Sequence, residues 1–360
     1  MTRVATTQDE LFAPTSLSFP LVLFPFTWLW RFFTRRFGIF AAKWNETEPT
    51  AELLVKDIVY GETPRFRLEE NALYFTDMLG KQVLRWDLDK KQHTLVYESN
   101  EGLSGLGWLP DGRLLIVAMV TRKLLAFNEK TKVVEEYADI SEVTRHRAND
   151  MVVDTKGRAY VGNFGYDFAD ALHARTTTVV RVDLDRSVHV EATKMLFPNG
   201  SVITPDGKTL IIAETFAGDL TAFDIASDGS LSNRRVWAHV GLPCDGICLD
   251  AEGCVWASIS QVGAYPIGGA LVRVQEGGAI KNLYGFGQNG ISNGVFACQL
   301  GTDAQGKHYL FFLEAKTAFE DAIFKHGPAK ARENGQLKAI PVAVGPARIP
   351  GNNKYCGGYC

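Results

Sequence analysis

Six times along the chain a short apolar run meets a tight polar turn and resumes as a second apolar run. The turns read RLEEN at Arg67–Asn71, PDG at Pro110–Gly112, DTKG at Asp154–Gly157, TPDG at Thr204–Gly207, DAEG at Asp250–Gly253 and TDAQG at Thr302–Gly306. After them come ALYFTD, RLLIVA, RAYVGN, TLIIAE, CVWASI and HYLFFL. Counted from Arg67, Leu109, Asp154, Thr204, Asp250 and Thr302, the repeats are spaced by 42, 45, 50, 46 and 52 residues. A period of that length built from short strands predicts an all-β, six-bladed β-propeller with one blade per repeat. Such a ring has an axis, and residues at the same place in every blade converge on it.

Length alone, 360 residues, suggests two domains. The repeat overrides that prior, because a blade buries its faces only against its neighbours. The expected organisation is therefore an irregular, aromatic-rich N-terminal arm over residues 1–50, a propeller over 51–350 and a tail over 351–360. With a net charge of -3 and no evident basic face, nucleic acid is excluded as a partner and a small molecule is expected. Cys244, Cys248 and Cys254 fall in or beside one blade's apolar runs and read as small buried hydrophobes; their spacing fits no zinc template. The tail CGGYC allows a Cys356–Cys360 ring or a bridge to Cys298.

The arm carries LSFPLVLFPFTWLW at Leu17–Trp30, followed by Arg31, Arg35 and Arg36. That run is shorter than the ~20 residues of a spanning helix, and Pro20 and Pro25 interrupt it. Asp9 and Glu10 stand where a signal peptide has a basic region. An arm packed on the propeller, with a lid as one form of it, is favoured over peripheral membrane contact and over a cleaved targeting sequence, and a cytoplasmic location over secretion. The sequon at Asn45 counts only in a secreted chain.

Each blade reads as four antiparallel strands of period two, with a terminal strand expected to close the ring. The residue five before each turn start sits at the mouth of the innermost strand. This gives Glu62, Ser104, Asn149, Asn199 and Asp245; in the sixth blade the slot is Asn293 or Phe296. Four of the five readable slots are a carboxylate or a carboxamide. Two carboxylates and two amide oxygens around one axis suit a hard divalent cation, calcium best, with zinc, magnesium and manganese left open. The competing reading is a wet channel in which these groups only cap strands. Asp150 either shapes the site or bonds a turn. Asp167 and Asp170, in the long loop YDFADALHARTTT, overhang the expected pocket.

The segments VYGETPRF, SGLGWLPDGRLLIV, HRANDMVVDTKGRAYVGNFG, FPNGSVITPDGKTLIIAETFAGDLTAFDI and SDGSLSNRRVWAHVGLPCDGICLDAEGCVWAS resemble, taken together, the senescence-marker-protein/gluconolactonase/luciferin-regenerating-enzyme family of six-bladed propellers. The resemblance runs from about Leu53 to about Pro350. It implies one divalent metal held by Glu62, Asn199 and Asp245, with Asp245 doubling as general base. It also implies Asn149 near metal and substrate, and Arg147 on the substrate. Ser104 from the slot arithmetic and Asp167 from the loop complete the expected substrate contacts. One departure is local: Thr63-Pro64 follows Glu62 where the family usually has Gly-Pro.

The leading expectation is metal-assisted hydrolysis of a lactone or related cyclic ester, with Asp245, Asn149 and Arg147 as the catalytic residues. The rival is a non-hydrolytic cyclase or pericyclase of specialised metabolism, motivated by the arm's aromatics as a water-excluding roof. A rim-binding scaffold is a third class, disfavoured because it has no use for a polar ring on the axis. His146, His173, His189 and His239 show no ligand spacing, and no G-x-S-x-G elbow is present.

Overall fold

The computed structural model describes residues 50–166, 175–260, 269–285, 287–288, 291–316 and 334–348. The arm before Thr50, the loop residues Asp167, Asp170 and His173, and the tail with Cys356 and Cys360 lie outside them. Six four-stranded antiparallel sheets follow in chain order. Blade 1 is β2 (Gly61–Arg67), β3 (Ala72–Asp77), β4 (Gln82–Asp87) and β5 (Gln92–Glu98). Blade 2 is β6 (Leu103–Trp108), β7 (Leu114–Ala118), β8 (Lys123–Phe127) and β9 (Val134–Asp139). Blade 3 is β10 (Ala148–Val153), β11 (Ala159–Asn163), β12 (Thr177–Val182) and β13 (Val188–Met195). Blade 4 is β14 (Pro198–Ile203), β15 (Thr209–Glu214), β16 (Asp219–Ile225) and β17 (Leu231–His239). Blade 5 is β18 (Cys244–Leu249), β19 (Val255–Ile259), β20 (Ala270–Val274) and β21 (Ile280–Gly285). A small hairpin, β22 (Gly287–Gln288) with β23 (Ile291–Ser292), leads to blade 6: β24 (Gly294–Thr302), β25 (His308–Ala315) and β26 (Gly335–Val342).

The ring closes as expected. Strand β1 (Glu52–Ile58) pairs antiparallel with β26 and becomes the outermost strand of blade 6. The first strand of the sheet thus completes the last blade and removes an open edge.

The tight turns fold as their residues dictate. Asp154, Asp250 and Asp303 each accept backbone N–H bonds from residues two and four ahead. A glycine then takes the left-handed backbone such a turn needs, as at Gly157 (φ 78°) and Gly253 (φ 76°). In blade 1 a single 3-10 turn, Leu68–Glu70, replaces this pattern, and Asn71 supplies the left-handed residue at φ 45°.

Burial falls from axis to rim. The innermost strands of blades 2 to 5 are buried at every position, whereas β5 is mostly exposed. Six apolar clusters each join two neighbouring blades, and every neighbouring pair has one. Each fully buried aliphatic or aromatic side chain there contributes about 1.5–3 kcal/mol. The seventh cluster is different and belongs to the site described next.

Candidate functional site

Every innermost strand carries a β-bulge at its mouth end. The ladder register slips between Glu62 and Arg65, Leu103 and Leu106, Ala148 and Met151, Pro198 and Ser201, Cys244 and Ile247, and Val295 and Ala297. An extra residue here twists the strand and re-aims a side chain. Ser104, Asn149, Asn199 and Asp245 all occupy the first position of the bulge. The residue after them is Gly105, Asp150, Gly200 or Gly246. A Cβ at Gly200 would lie 2.5 Å from the Ile247 nitrogen, and one at Gly246 would lie 2.6 Å from the Ala297 Cα. The inner strands therefore approach backbone to backbone, which is the physical reason for the SG, NG and DG pairs.

The register shifts one slot relative to the sequence arithmetic and decides the sixth between its two candidates. In blade 1 the bulge begins at Thr63, and Glu62 stands one residue earlier, paired with Thr76. The shorter turn after β2 causes the offset. Thr63 adopts φ 47°, and it is a β-branched residue in left-handed backbone. In blade 6 the bulge falls at Phe296, an aromatic, while the Asn293 amide donates to Glu314 at 2.9 Å. The polar set on the inner strands is therefore Glu62, Ser104, Asn149, Asn199 and Asp245, all buried.

These groups are electrostatically linked. Burial, and after it the charges of Asp245 and Asp150, push the Glu62 carboxyl well above the usual range. Burial and then Asp150 do the same to Asp245; the opposing groups there are the neutral Ser260 and Asn199. The Asp245 Oδ1 and Asn149 Nδ2 atoms are buried with no hydrogen-bond partner among the described residues. The Ser104 hydroxyl donates to Asn149 Oδ1 at 3.2 Å, which leaves that amide's NH2 end free to serve a ligand.

Two supporting features were not read from the sequence. Thr215 accepts from the Asn199 amide at 3.1 Å and donates to the Cys244 carbonyl at 2.8 Å, locking Asn199 to the strand that carries Asp245. Arg65 reaches across from blade 1 to blade 3. Its Nη2 meets Asp150 Oδ1 at 2.7 Å and donates to the Met151 carbonyl at 2.6 Å, while Nη1 donates to the Pro64 carbonyl. Burial pushes Asp150 up and Arg65 opposes it. Arg147, in the residue before β10, is part-buried, and its carbonyl accepts from the Phe164 N–H at 3.0 Å. Among the surface histidines, His239 bonds Asp219 and His189 bonds Ser187, on the outermost strands of blades 4 and 3 and away from the inner-strand slots. Cys298 is a free buried thiol near Cys248, so it forms no bridge to the tail.

Above the polar ring lies the seventh cluster: Tyr60, Met78, Met119, Phe164, Tyr166, Phe197, Phe296 and Ala315. It draws on blades 1, 2, 3, 4 and 6, and side chains from five blades can meet only around the axis. Met78, Met119 and Phe164 are the residues that follow the second strand of blades 1 to 3. Thr215 and Ser260 hold the same position in blades 4 and 5. The mouth is thus apolar on one side and polar on the other. Phe164, Tyr166, Phe197 and the half-exposed Phe216 form a run of tilted and edge-on rings with centroids 4.7–6.1 Å apart.

Residues 60–303, which contain every slot from Glu62 to Phe296, match the family model described as SMP-30/Gluconolactonase/LRE-like region. The chain belongs to this family. Regucalcin of Xenopus laevis is 30% identical over 221 residues, covering 59% of this chain and 71% of that protein. Regucalcin of Homo sapiens is 29% identical over 222 residues with the same coverage. Among solved structures, a luciferin-regenerating enzyme superposes with a TM-score of 0.67 at 17% identity, covering 84% of this chain and 98% of that one. A calcium-binding protein, regucalcin, from Agrobacterium tumefaciens gives 0.65 at 16% identity, covering 87% and 98%. A gluconolactonase of Xanthomonas campestris gives 0.59 at 19% identity, covering 84% and 92%. At these identities the structural likenesses establish the fold. The SMP-30/gluconolactonase-like family carries the coarser functional statement, a lactonase-type propeller.

Among the described residues no three His, Cys, Asp or Glu side chains group as a metal cluster. A cation here would need the Asn199 carboxamide beside the two carboxylates. The donors fit such an ion: all are oxygen, Asp245 Oδ1 lacks a partner, and two carboxylates are buried together with only the Thr63 N–H and the Arg65 charge opposing at Glu62. A hard divalent cation removes that imbalance.

Proposed function

We propose that this propeller hydrolyses a cyclic ester with a divalent cation, calcium by preference, held by Glu62, Asn199 and Asp245. One observation carries the reading: Glu62 and Asp245 are both buried and both driven toward protonation, an arrangement costly to keep unless a cation is its purpose. The calcium-binding description of the Agrobacterium regucalcin and the gluconolactonase activity named for the Xanthomonas relative support it.

When bound, the cation supplies Lewis-acid polarisation of the ester carbonyl. The remaining work falls to this chain's own residues. The unpartnered Asn149 amide donates to the carbonyl oxygen as charge develops there, and Ser104 holds that amide in place. Asp245 accepts the proton of the attacking water through a carboxylate oxygen that does not ligate the cation and returns it to the ring oxygen as the acyl C–O bond breaks. Arg147 steadies a polar group of the substrate at the mouth, together with Ser104 and, from outside the described residues, Asp167. Thr215 keeps Asn199 and the Asp245 strand in register.

A second reading, cyclisation without water, draws on the apolar half of the mouth. The two are separated by assaying lactone opening with calcium present and with calcium chelated. Calcium-dependent opening supports hydrolysis; undiminished opening in thoroughly chelated protein sinks the metal role.

A further inference from the structure

The half-apolar mouth speaks to the substrate. We propose that the ester handled here carries an aromatic or hydrocarbon body, seated against the Phe164, Phe197 and Phe216 side of the collar, and is not a polyhydroxylated sugar lactone. The inference rests on the reading of the site as a cyclic-ester pocket and adds the chemistry of the rest of the molecule.

A sugar lactone presents a hydroxyl on nearly every carbon, and each needs a partner once it leaves water. Among the described residues the level just above the polar ring offers few of them. Met78, Met119 and Phe164 occupy it on three consecutive blades. Apart from the exposed Lys316 of blade 6, the polar residues at that level are already committed. Thr215 donates to the Cys244 carbonyl and accepts from Asn199, and the Ser260 hydroxyl donates to the Pro243 carbonyl at 3.3 Å. The collar's own hydroxyls are the phenols of Tyr60 and Tyr166, both buried. A polyol brought against this surface would exchange hydrogen bonds with water for contact with methionine and phenylalanine, a loss on the order of 1–3 kcal/mol per stranded group in protein contexts.

An aromatic body meets the opposite situation. Phe197 lies 4.7 Å from Phe164 and 5.1 Å from Phe216, with interplanar angles of 48° and 56°. Phe216 also lies 5.2 Å from Tyr166. Phe216 is 43% exposed, whereas Phe164, Tyr166 and Phe197 are buried, so the row of rings has one open end. A further ring added at that end extends the same tilted packing and buries the exposed face of Phe216.

The opening also has a direction. Of the connections at the mouth that follow a second strand, those of blades 1, 2 and 4 are tight turns, from Asp77 to Gln82, Ala118 to Lys123 and Glu214 to Asp219. Phe216 sits in the tight turn of blade 4. A ligand there reaches inward past Phe197 to Asn199, the amide that begins the next layer.

The test uses the full-length, calcium-loaded protein and two cyclic ethers that cannot be hydrolysed, so that binding is read apart from turnover. Chroman mimics an aryl lactone and 1,5-anhydroglucitol mimics a sugar lactone. Titration calorimetry is expected to give chroman at least about tenfold the affinity of the sugar analogue, with Phe216→Ala weakening chroman about tenfold. Phe216 is exposed enough for that variant to fold, which a thermal melt checks. Dihydrocoumarin and glucono-1,5-lactone are then assayed for opening. Preferred binding of chroman without opening of either lactone keeps the substrate class and removes the hydrolase reading. Tighter binding of 1,5-anhydroglucitol, equal binding, binding of neither, or indifference of chroman to Phe216→Ala overturns the inference, whatever the lactone assay shows.

Discussion

The guanidinium of Arg65 and the carboxylate of Asp150 meet at 2.7 Å with side-chain exposures of 3% and 5%, joining blade 1 to blade 3 across the axis. Eighty-five positions separate them in sequence, so no local pattern pairs them. The pair lies under the polar ring, and Asp150 helps push both Glu62 and Asp245 up. Removing the cation alone strands a buried carboxylate. Arg65→Met should therefore cost about 3–5 kcal/mol in urea unfolding, as for other broken buried pairs. Arg65→Met with Asp150→Asn should recover part of that loss. A cost below about 1 kcal/mol for the single variant would show that the pair contributes nothing to holding the ring.

The proposed cation donors should separate stability from function. Glu62→Gln and Asp245→Asn each remove a buried charge, so the calcium-free variants should melt higher than calcium-free wild type, by on the order of 1 kcal/mol or more. The same variants should lose calcium binding by calorimetry and lose lactone opening. If both variants are less stable without calcium, the carboxylates serve the fold and the proposed site is misassigned.

The pH dependence has a definite sign. Glu62 and Asp245 have ordinary values of 4.5 and 3.8 and are raised well above them in the folded chain. Between the ordinary and raised values the folded protein holds protons that the unfolded chain has released. Stability of the calcium-free protein must then fall as pH rises through that window and level off above it. Carboxylates that are lowered by their partners, such as Asp87 at about 2, act in the opposite direction, and their contribution fades only toward acid below the window. A melting series from mildly acidic to neutral pH in chelator should slope downward, and saturating calcium should flatten it or reverse it. A chelated protein whose melting temperature rises steadily toward neutral pH would contradict the shared burial of the two groups.

Much of this molecule was legible because a propeller repeats. The polar turns located the six blades, the strand content of each blade followed from period two, and closure by a terminal strand was realised by β1 on β26. Residues at the inner-strand mouths were legible for the same reason. The arithmetic failed where a blade departs from the common form. The 3-10 turn after β2 shifts the register so that Thr63, not Glu62, takes the bulge position. Contacts between blades left no local trace, as with Arg65 and Asp150 or Thr215 and Cys244. The collar did leave one: Met78, Met119 and Phe164 each follow the second apolar run, and reading that slot as well as the first would have exposed the apolar side of the mouth.

Thr63 gives the last prediction, because it ties a sequence departure to a backbone angle. The family usually has glycine at this position, and the φ of 47° shows what glycine would relieve. A β-branched side chain in left-handed backbone costs about 1–2 kcal/mol. The residue is nevertheless almost fully buried, and its hydroxyl has no hydrogen-bond partner among the described residues. Thr63→Gly thus trades lost packing and a more flexible unfolded chain against released strain and removal of an unsatisfied hydroxyl. The terms are of similar size, so the variant should unfold within about 1 kcal/mol of wild type, where truncation of a buried side chain ordinarily costs more. Thr63→Val keeps the strain and the bulk while deleting the hydroxyl, and separates the two contributions in the same denaturation assay. A loss beyond about 2 kcal/mol for Thr63→Gly would mean that the strand mouth holds Thr63 for its packing and that the strained angle carries little energy.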